Sequence, residues 1–273
     1  RIYTPGSLYE ESLIGTDDVA GLAAISLKAD GVGLAILDAS TGHVWTVEHQ
    51  GDERWSRLLD DLLRSNPREL VFSPRDAERE EVRNVISQID GVTLSQHTSS
   101  RRKGQDALKN ILEVADLGHI DLGDSPLAMD AAGLAADYLA AMHIVDSIDF
   151  REIEIMRPEG NMILDQTTLR NLELTQTLAG EKEGSLLGAI DKCRTSMGRR
   201  TLKHWLLRPL ANKGKIVERQ DAVASLARSS RRLDDLRNSL KGLRDMERLA
   251  TQLSYNRSGG RDLVAIGLAL ERM

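Results

Sequence analysis

Apolar residues recur along this chain at two periods, and the change from one to the other divides it. Up to about residue 95 the apolar runs are short and bounded by turn residues. Leu22 to Leu27 and Val32 to Ala39 are two such runs, joined by a turn-forming tetrapeptide from Lys28 to Gly31. After a second turn at Ser40-Thr41-Gly42, the stretch from His43 to Glu48 puts Val44 and Thr46 on one face and Trp45 and Val47 on the other. That alternation is the period of a strand, so three consecutive antiparallel strands are predicted. From Glu53 to Arg64 the spacing changes to three and four, with Trp55, Leu58, Leu59, Leu62 and Leu63 on one helical stripe ended by Asn66-Pro67. A short buried strand at Glu69 to Phe72 follows. Then come a helix entered through Ser73-Pro74, with Val82, Val85, Ile86 and Ile89 inward, and a fifth strand at Val92 to Leu94.

The order βββαβαβ predicts a ribonuclease-H-like domain, a mixed sheet with flanking helices. Beyond it the pattern turns helical. Ala107 to Val114 is one helix, and Asp116 to Ser125 is a polar loop where the domain boundary is expected. Pro126 to Ile144 is alanine-rich and apolar nearly all round, the mark of a helix buried on most sides. A short extended piece at Glu152 to Met156 precedes a region read as helical from Asp165 almost to the end. Leu169, Leu172 and Leu178 mark one helix, and Ile216, Val223 and Leu226 another. The series Leu233, Leu236, Leu240, Leu243, Met246, Leu249 and Leu253 is divided by Gly242, and Leu263, Ile266 and Leu270 begin a last helix. The expected organisation is a lead-in over 1–20, an α/β domain over 21–120 and an all-α domain over 121–273.

Composition changes this picture in two respects. Only 3% of the 273 residues are aromatic, so the cores must be built from Leu, Ile, Val and Ala, and the single cysteine, Cys193, excludes an intrachain disulfide. Net charge is −6, but residues 1–124 hold 13 basic against 22 acidic side chains, whereas 191–273 hold 19 against 9. An acidic total therefore conceals a basic C-terminal third, able to meet phosphate or an acidic protein surface.

The basic charge centres on Gly184 to Leu210, which reads as two short helices and a tight joint. Ser185 is positioned to cap the first, and Thr195 or Ser196 the second. Leu202, Trp205 and Leu206 share a face, and Pro209 stops the helix near Arg208. The candidate DNA or interdomain contacts are Arg194, Arg199, Arg200, Lys203, Arg208, Lys213, Lys215 and Arg219. Met197, Gly198 and Trp205 form the expected structural joint, with Gly198 permitting close helix approach or serving a cap. The plainer reading is a core helix pair whose charges face water.

The same residues carry a resemblance. D-x-C-x-T-S-M-G-R-R-x-L-x-x-W-L-x-x-P-L followed by E-R-Q-D-A-V resembles the core (lever) domain of the MutS family of DNA mismatch-recognition ATPases. Leu164 to Leu178 (LDQTTLRNLELTQTL) is similar to that domain's entry segment, and RDMERLATQL and GGRDL to its next two signatures. The resemblance implies a connector domain of ribonuclease-H-like fold and the first part of the core domain. It places a mismatch-binding domain before the T-P-G lead-in, and the clamp and ATPase domains elsewhere in a longer parent. For that parent it implies ATP and Mg as cofactors, mismatched duplex DNA and MutL as partners, a homodimer, and a cytoplasmic, nucleoid-associated location. The role implied for this chain is mechanical: rigid helices relay ATP and DNA state, and the connector offers a docking surface for MutL.

Little else in the sequence points to chemistry. No G-x-x-x-x-G-K-S/T loop occurs, and Gly31-Val-Gly33 reads as a hairpin turn rather than a phosphate cradle. A ribonuclease-H-like nuclease needs several converging carboxylates. Asp38, Asp60 and Asp61 are candidates, but the first strand contributes none. His43, His49, His97, His119, His143 and His204 show no paired metal-ligand spacing. No catalytic, cofactor or metal residue is expected, and no apolar run is long enough to span a membrane. A free-standing nuclease and a MutS relative acting in recombination are the alternatives.

Overall fold

A computed structural model describes residues 21–117, 125–142, 152–156, 160–254 and 259–271. The expected lead-in over 1–20, His119 and His143 lie outside the described residues. Chain contacts divide the protein into two compact units, one ending at Met156 and the other beginning at Arg157.

The first unit is a six-stranded mixed sheet between two helical layers. Strands β1 (Gly21–Leu27), β2 (Gly31–Asp38) and β3 (His43–Gln50) are antiparallel neighbours. Strand β4 (Glu69–Phe72) lies parallel to β1, β5 (Thr93–Gln96) parallel to β4, and β6 (Glu152–Ile155) parallel to β3. The spatial order is β5-β4-β1-β2-β3-β6. Alternate side chains of these strands serve different faces. Ala23, Ile25, Val32, Leu34, Ile36, Val47, Leu70 and Phe72 form a core with Leu58 and Leu62 of α1 (Arg54–Ser65) and Val82 and Val85 of α2 (Glu80–Ile86). The helix expected after Ser73-Pro74 begins instead with a single 3₁₀ turn, Asp76–Glu78, before α2.

The opposite face carries α3 (Arg101–Ile111) and α4 (Pro126–Ala141), and several contacts fix α4 there. The Glu48 carboxylate accepts the Leu127 amide at 2.8 Å and the Ala128 amide at 3.4 Å, capping α4 from a neighbouring strand. A Cβ on Gly33 would lie 2.0 Å from the Leu127 carbonyl oxygen, so β2 admits the helix backbone only because residue 33 is glycine. Gly104 and Gly133 let α3 and α4 cross in the same way, each Cβ position being 2.9 Å from the other's backbone. The sheet's β4–β5 side adds a polar anchor: buried Glu69 accepts hydroxyl bonds from Ser95 and Tyr138, both at 2.6 Å.

These contacts correct the expected division at residue 120. Helix α4 and strand β6 belong to the α/β unit, because α4 covers its sheet and β6 extends it. A helix apolar on all sides is explained by being sandwiched between a sheet and α3.

The second unit is helical: α5 (Gln166–Asn171), α6 (Leu186–Ile190), α7 (Ser196–Leu207), α8 (Lys213–Ala227), α9 (Ser230–Leu240), α10 (Met246–Ser254) and α11 (Gly260–Leu270). Five N-caps follow the sequence chemistry, with Asp165, Ser185, Thr195, Asn212 and Ser229 each accepting an amide two or three residues into the helix. Gly242, at φ 75°, lies in the expected break between α9 and α10. The helix expected to run through Leu172 and Leu178 is shorter. Glu173 takes φ 47°, and the Thr177 amide donates to the Glu181 carbonyl at 2.8 Å, turning the chain. Leu164, Leu169 and Leu174 make a small core with Leu207. Helices α8 and α9 pack on each other but bury none of their residues, and Val223 is 65% exposed. Leu263, Val264, Leu268 and Leu270 are likewise exposed on α11.

Candidate functional site: an ion-pair hub beneath the basic helices

The basic segment is not uniformly solvated. Thr195 caps α7 by accepting the Gly198 amide at 3.1 Å, which leaves Ser196 and Arg200 directed to Asp245, just before α10. Arg200 bonds both carboxylate oxygens of Asp245, Nη2 reaching Oδ1 at 2.9 Å and Nη1 reaching Oδ2. Its Nη2 also bonds Glu247. The Ser196 hydroxyl donates to Asp245 Oδ2 at 2.9 Å, and the Arg248 amide to Oδ1 at 3.2 Å. Arg248 Nε stands 3.7 Å from Oδ2. Asp245 is 7% exposed and the Arg200 side chain 11%.

Burial opposes both charges, and the pairing outweighs it. The bonds from Asp245 and Glu247 hold the Arg200 guanidinium above its ordinary pKa. Burial pushes Asp245 up, but the Arg200 hydrogen bonds and charge, with the Arg248 amide and Ser196 hydroxyl, bring it below the usual carboxylate value. Bidentate guanidinium–carboxylate geometry suits such a site because both planar groups bond without leaving a polar atom idle.

The other candidates divide. Arg199 pairs with Asp191 at 3.0 Å, and the Arg219 guanidinium lies 3.8 Å from the ring centre of Trp205, which is itself 42% exposed. His204 on α7 is pushed down to about 4, by burial first and then by the charges of Arg208 and Arg219. Lys203 and Arg208 are half-buried on and just after α7. Arg194, Lys213 and Lys215 are exposed, the two lysines in the first turn of α8. Arg199, Arg200 and Arg219 thus make contacts inside the unit, which the reading of one outward basic face did not include.

Of the expected joint residues, Met197 is half-buried and Gly198 serves the cap. A Cβ on Gly198 would meet Thr195 Oγ1 at 3.1 Å and Cys193 at 3.8 Å, with no neighbouring helix backbone in reach. The polar bonds from α7 to the residue before α10 come from Ser196 and Arg200, which meet at Asp245. Sequence reasoning missed Asp245 and Glu247. The available signal was a pair of acidic residues at 245 and 247 in an apolar helical series.

The carboxylates considered for nuclease chemistry are engaged in structure. Asp38 accepts the Ser40 amide and the Ser40 and Thr41 hydroxyls, at 2.7 to 2.9 Å. Asp61 bonds His49 Nε2 and Arg64, both at 2.8 Å. Among the described residues no cluster of three or more His, Cys, Asp or Glu is arranged to hold a metal ion. No described helix is long and apolar enough to cross a membrane.

Fold and site together define a two-unit protein in which an α/β sheet unit is followed by a helical unit tied by buried charge. Family models described as MutS domain II and MutS domain III match residues 20–144 and 167–273. The chain is similar to the DNA mismatch repair protein MutS of Anaeromyxobacter dehalogenans (strain 2CP-C), 34% identical over 273 residues, covering 99% of this chain and 30% of that protein. It is also similar to the proteins of that name from Symbiobacterium thermophilum, at 34% over 99% of this chain, and Myxococcus xanthus, at 33% over all of it, covering 31% of each. The chain belongs to the MutS family, carrying its domains II and III. It spans about a third of the length of the relatives it matches.

Proposed function

We propose that the chain is the connector and core module of a MutS-type mismatch-recognition ATPase, and that its work is mechanical. Its α/β unit is a ribonuclease-H-like body used for docking, and its helical unit carries motion as packed rigid elements. In the parent, ATP with Mg would be bound outside this chain, on a homodimer engaged with mismatched duplex DNA in the cytoplasm. MutL would dock on the α/β unit. One observation carries the reading: two widely separated family signatures, T-S-M-G-R-R and R-D-M-E-R, meet at one buried ion-pair hub. A hub of this kind supports a part that holds shape under force. The nuclease alternative loses support, since Asp38 and Asp61 are committed to a turn and to a His–Arg pair.

The test is a chimera in which residues 20–273 replace the matching segment of the Myxococcus xanthus relative. With mismatch binding and basal ATPase retained as controls for folding, the module reading expects ATPase that responds to mismatched DNA. Retained binding and ATPase with no response to the mismatch would remove the relay role.

A further inference from the structure

Helices α8 and α9 form an excursion of the chain between α7 and α10. They pack on each other and bury no residue, so their own packing does little to hold them. What closes the base of this excursion is polar. Arg200 on α7 bonds Asp245 and Glu247 at the start of α10, and Ser196 adds a bond from the first position of α7. Arg248, 3% exposed, completes a group of two guanidinium and two carboxylate groups. A second tie, Arg219 stacked on Trp205, joins α8 to α7.

We infer that the Arg200–Asp245–Glu247 hub is a positioning clamp that sets the angle between α7 and α10 and thereby aims the α8–α9 hairpin. Apolar contacts are tolerant of rotation, whereas a bidentate guanidinium–carboxylate pair is directional. Arg200 and Asp245 are positioning residues. As a statement of where relayed motion would pass, the inference rests on the module reading; as a statement about the hairpin, it stands on the geometry alone.

The test uses the 273-residue chain with Cys193→Ser and spin labels at Thr201→Cys on α7 and Ser254→Cys on α10. Both positions are exposed. Distances are read by pulsed dipolar spectroscopy, without DNA or partner, so failure here is separate from failure of the module reading. With the hub intact, one narrow distance distribution is expected. Arg200→Lys keeps the charge and loses the fork, and should broaden it about twofold with helix content unchanged. The pair Arg200→Met with Asp245→Leu should stay broad, because apolar packing of similar volume lacks the direction of the fork, and it should be less stable than the parent, since Arg248 is then buried without the Asp245 carboxylate. A narrow native distribution in the apolar pair, or in Arg200→Lys, would overturn the clamp. Circular dichroism is the check on folding, and Arg200→Lys serves if the apolar pair does not fold.

Discussion

Glu48 and Leu127 lie 79 residues apart, and the carboxylate of the first accepts the backbone amide of the second at 2.8 Å. A strand side chain thereby supplies the cap that a helix ordinarily finds just before its own first turn, since Ser125 makes no side-chain cap bond. Next to it, Gly33 admits the Leu127 carbonyl. The two contacts assign α4 to the sheet.

Gly33→Ala is expected to be among the most damaging small substitutions in the α/β unit. Its methyl group would have to displace a helix backbone, not a flexible side chain, at a cost of about 3 kcal/mol or more. Glu48→Ala removes the cap and an exposed bond from Gln50, and should cost about 1 kcal/mol. Urea unfolding of the chain, followed by circular dichroism, distinguishes the two. Equal effects would contradict this account of the interface.

Gly104 and Gly133 face each other, so their effects should not add. Gly104→Ala or Gly133→Ala alone forces α3 and α4 apart, at about 1–3 kcal/mol. Once they are apart, the second methyl finds space. The double variant should therefore be less destabilised than the sum, with a coupling of about 1 kcal/mol. Strict additivity in a double-mutant cycle would show that the glycines do not share one crossing point.

The helical unit should weaken on mild acidification. His204 is neutral when folded, its pKa pushed from 6.5 to about 4, so the unfolded chain binds the extra proton more readily. Its contribution is fully present above pH 6.5 and is lost as pH falls toward about 4, by roughly 3 kcal/mol at most. Asp245 adds a second window at lower pH. Its folded pKa is depressed, so its stability is present above the ordinary carboxylate value and lost as pH falls through the folded one. His204→Gln should remove the slope between pH 6.5 and 4 and leave the acid limb. A slope unchanged in that variant would assign the titration elsewhere.

Only part of the basic segment is available to phosphate. Duplex DNA should bind the chain weakly, with a salt dependence equivalent to few phosphates. Changing exposed Lys213 and Lys215 to Gln should lower the slope of log affinity against log salt by about 2. Arg200→Gln should leave it unchanged because that guanidinium is inside. Salt-resistant nanomolar binding would contradict this division.

The pattern of residues made the strands legible, through alternation at period two for Val44 to Val47 and through a short apolar run bounded by turn residues for Leu34 to Leu37. The helix caps were legible from local chemistry at Ser185 and Thr195. What the pattern did not reveal depends on distant partners. The all-apolar face of α4 says that it is buried and not by what; Glu48 and Gly33 decide that. Leu172 and Leu178 have helical spacing, but Glu173 at positive φ ends the helix between them. Arg199 and Arg200 look like a solvated run until Asp191 and Asp245 are placed beside them.

The most direct test of the module reading is binding of a purified MutL-type protein to this chain, mapped by amide hydrogen exchange, with Lys203, Arg208, Lys213 and Lys215 intact or changed to Gln. The account predicts binding that survives neutralisation, with new protection confined to the α/β unit, residues 21–156. Binding lost with those charges, or protection confined to the helical unit, would contradict docking on the connector.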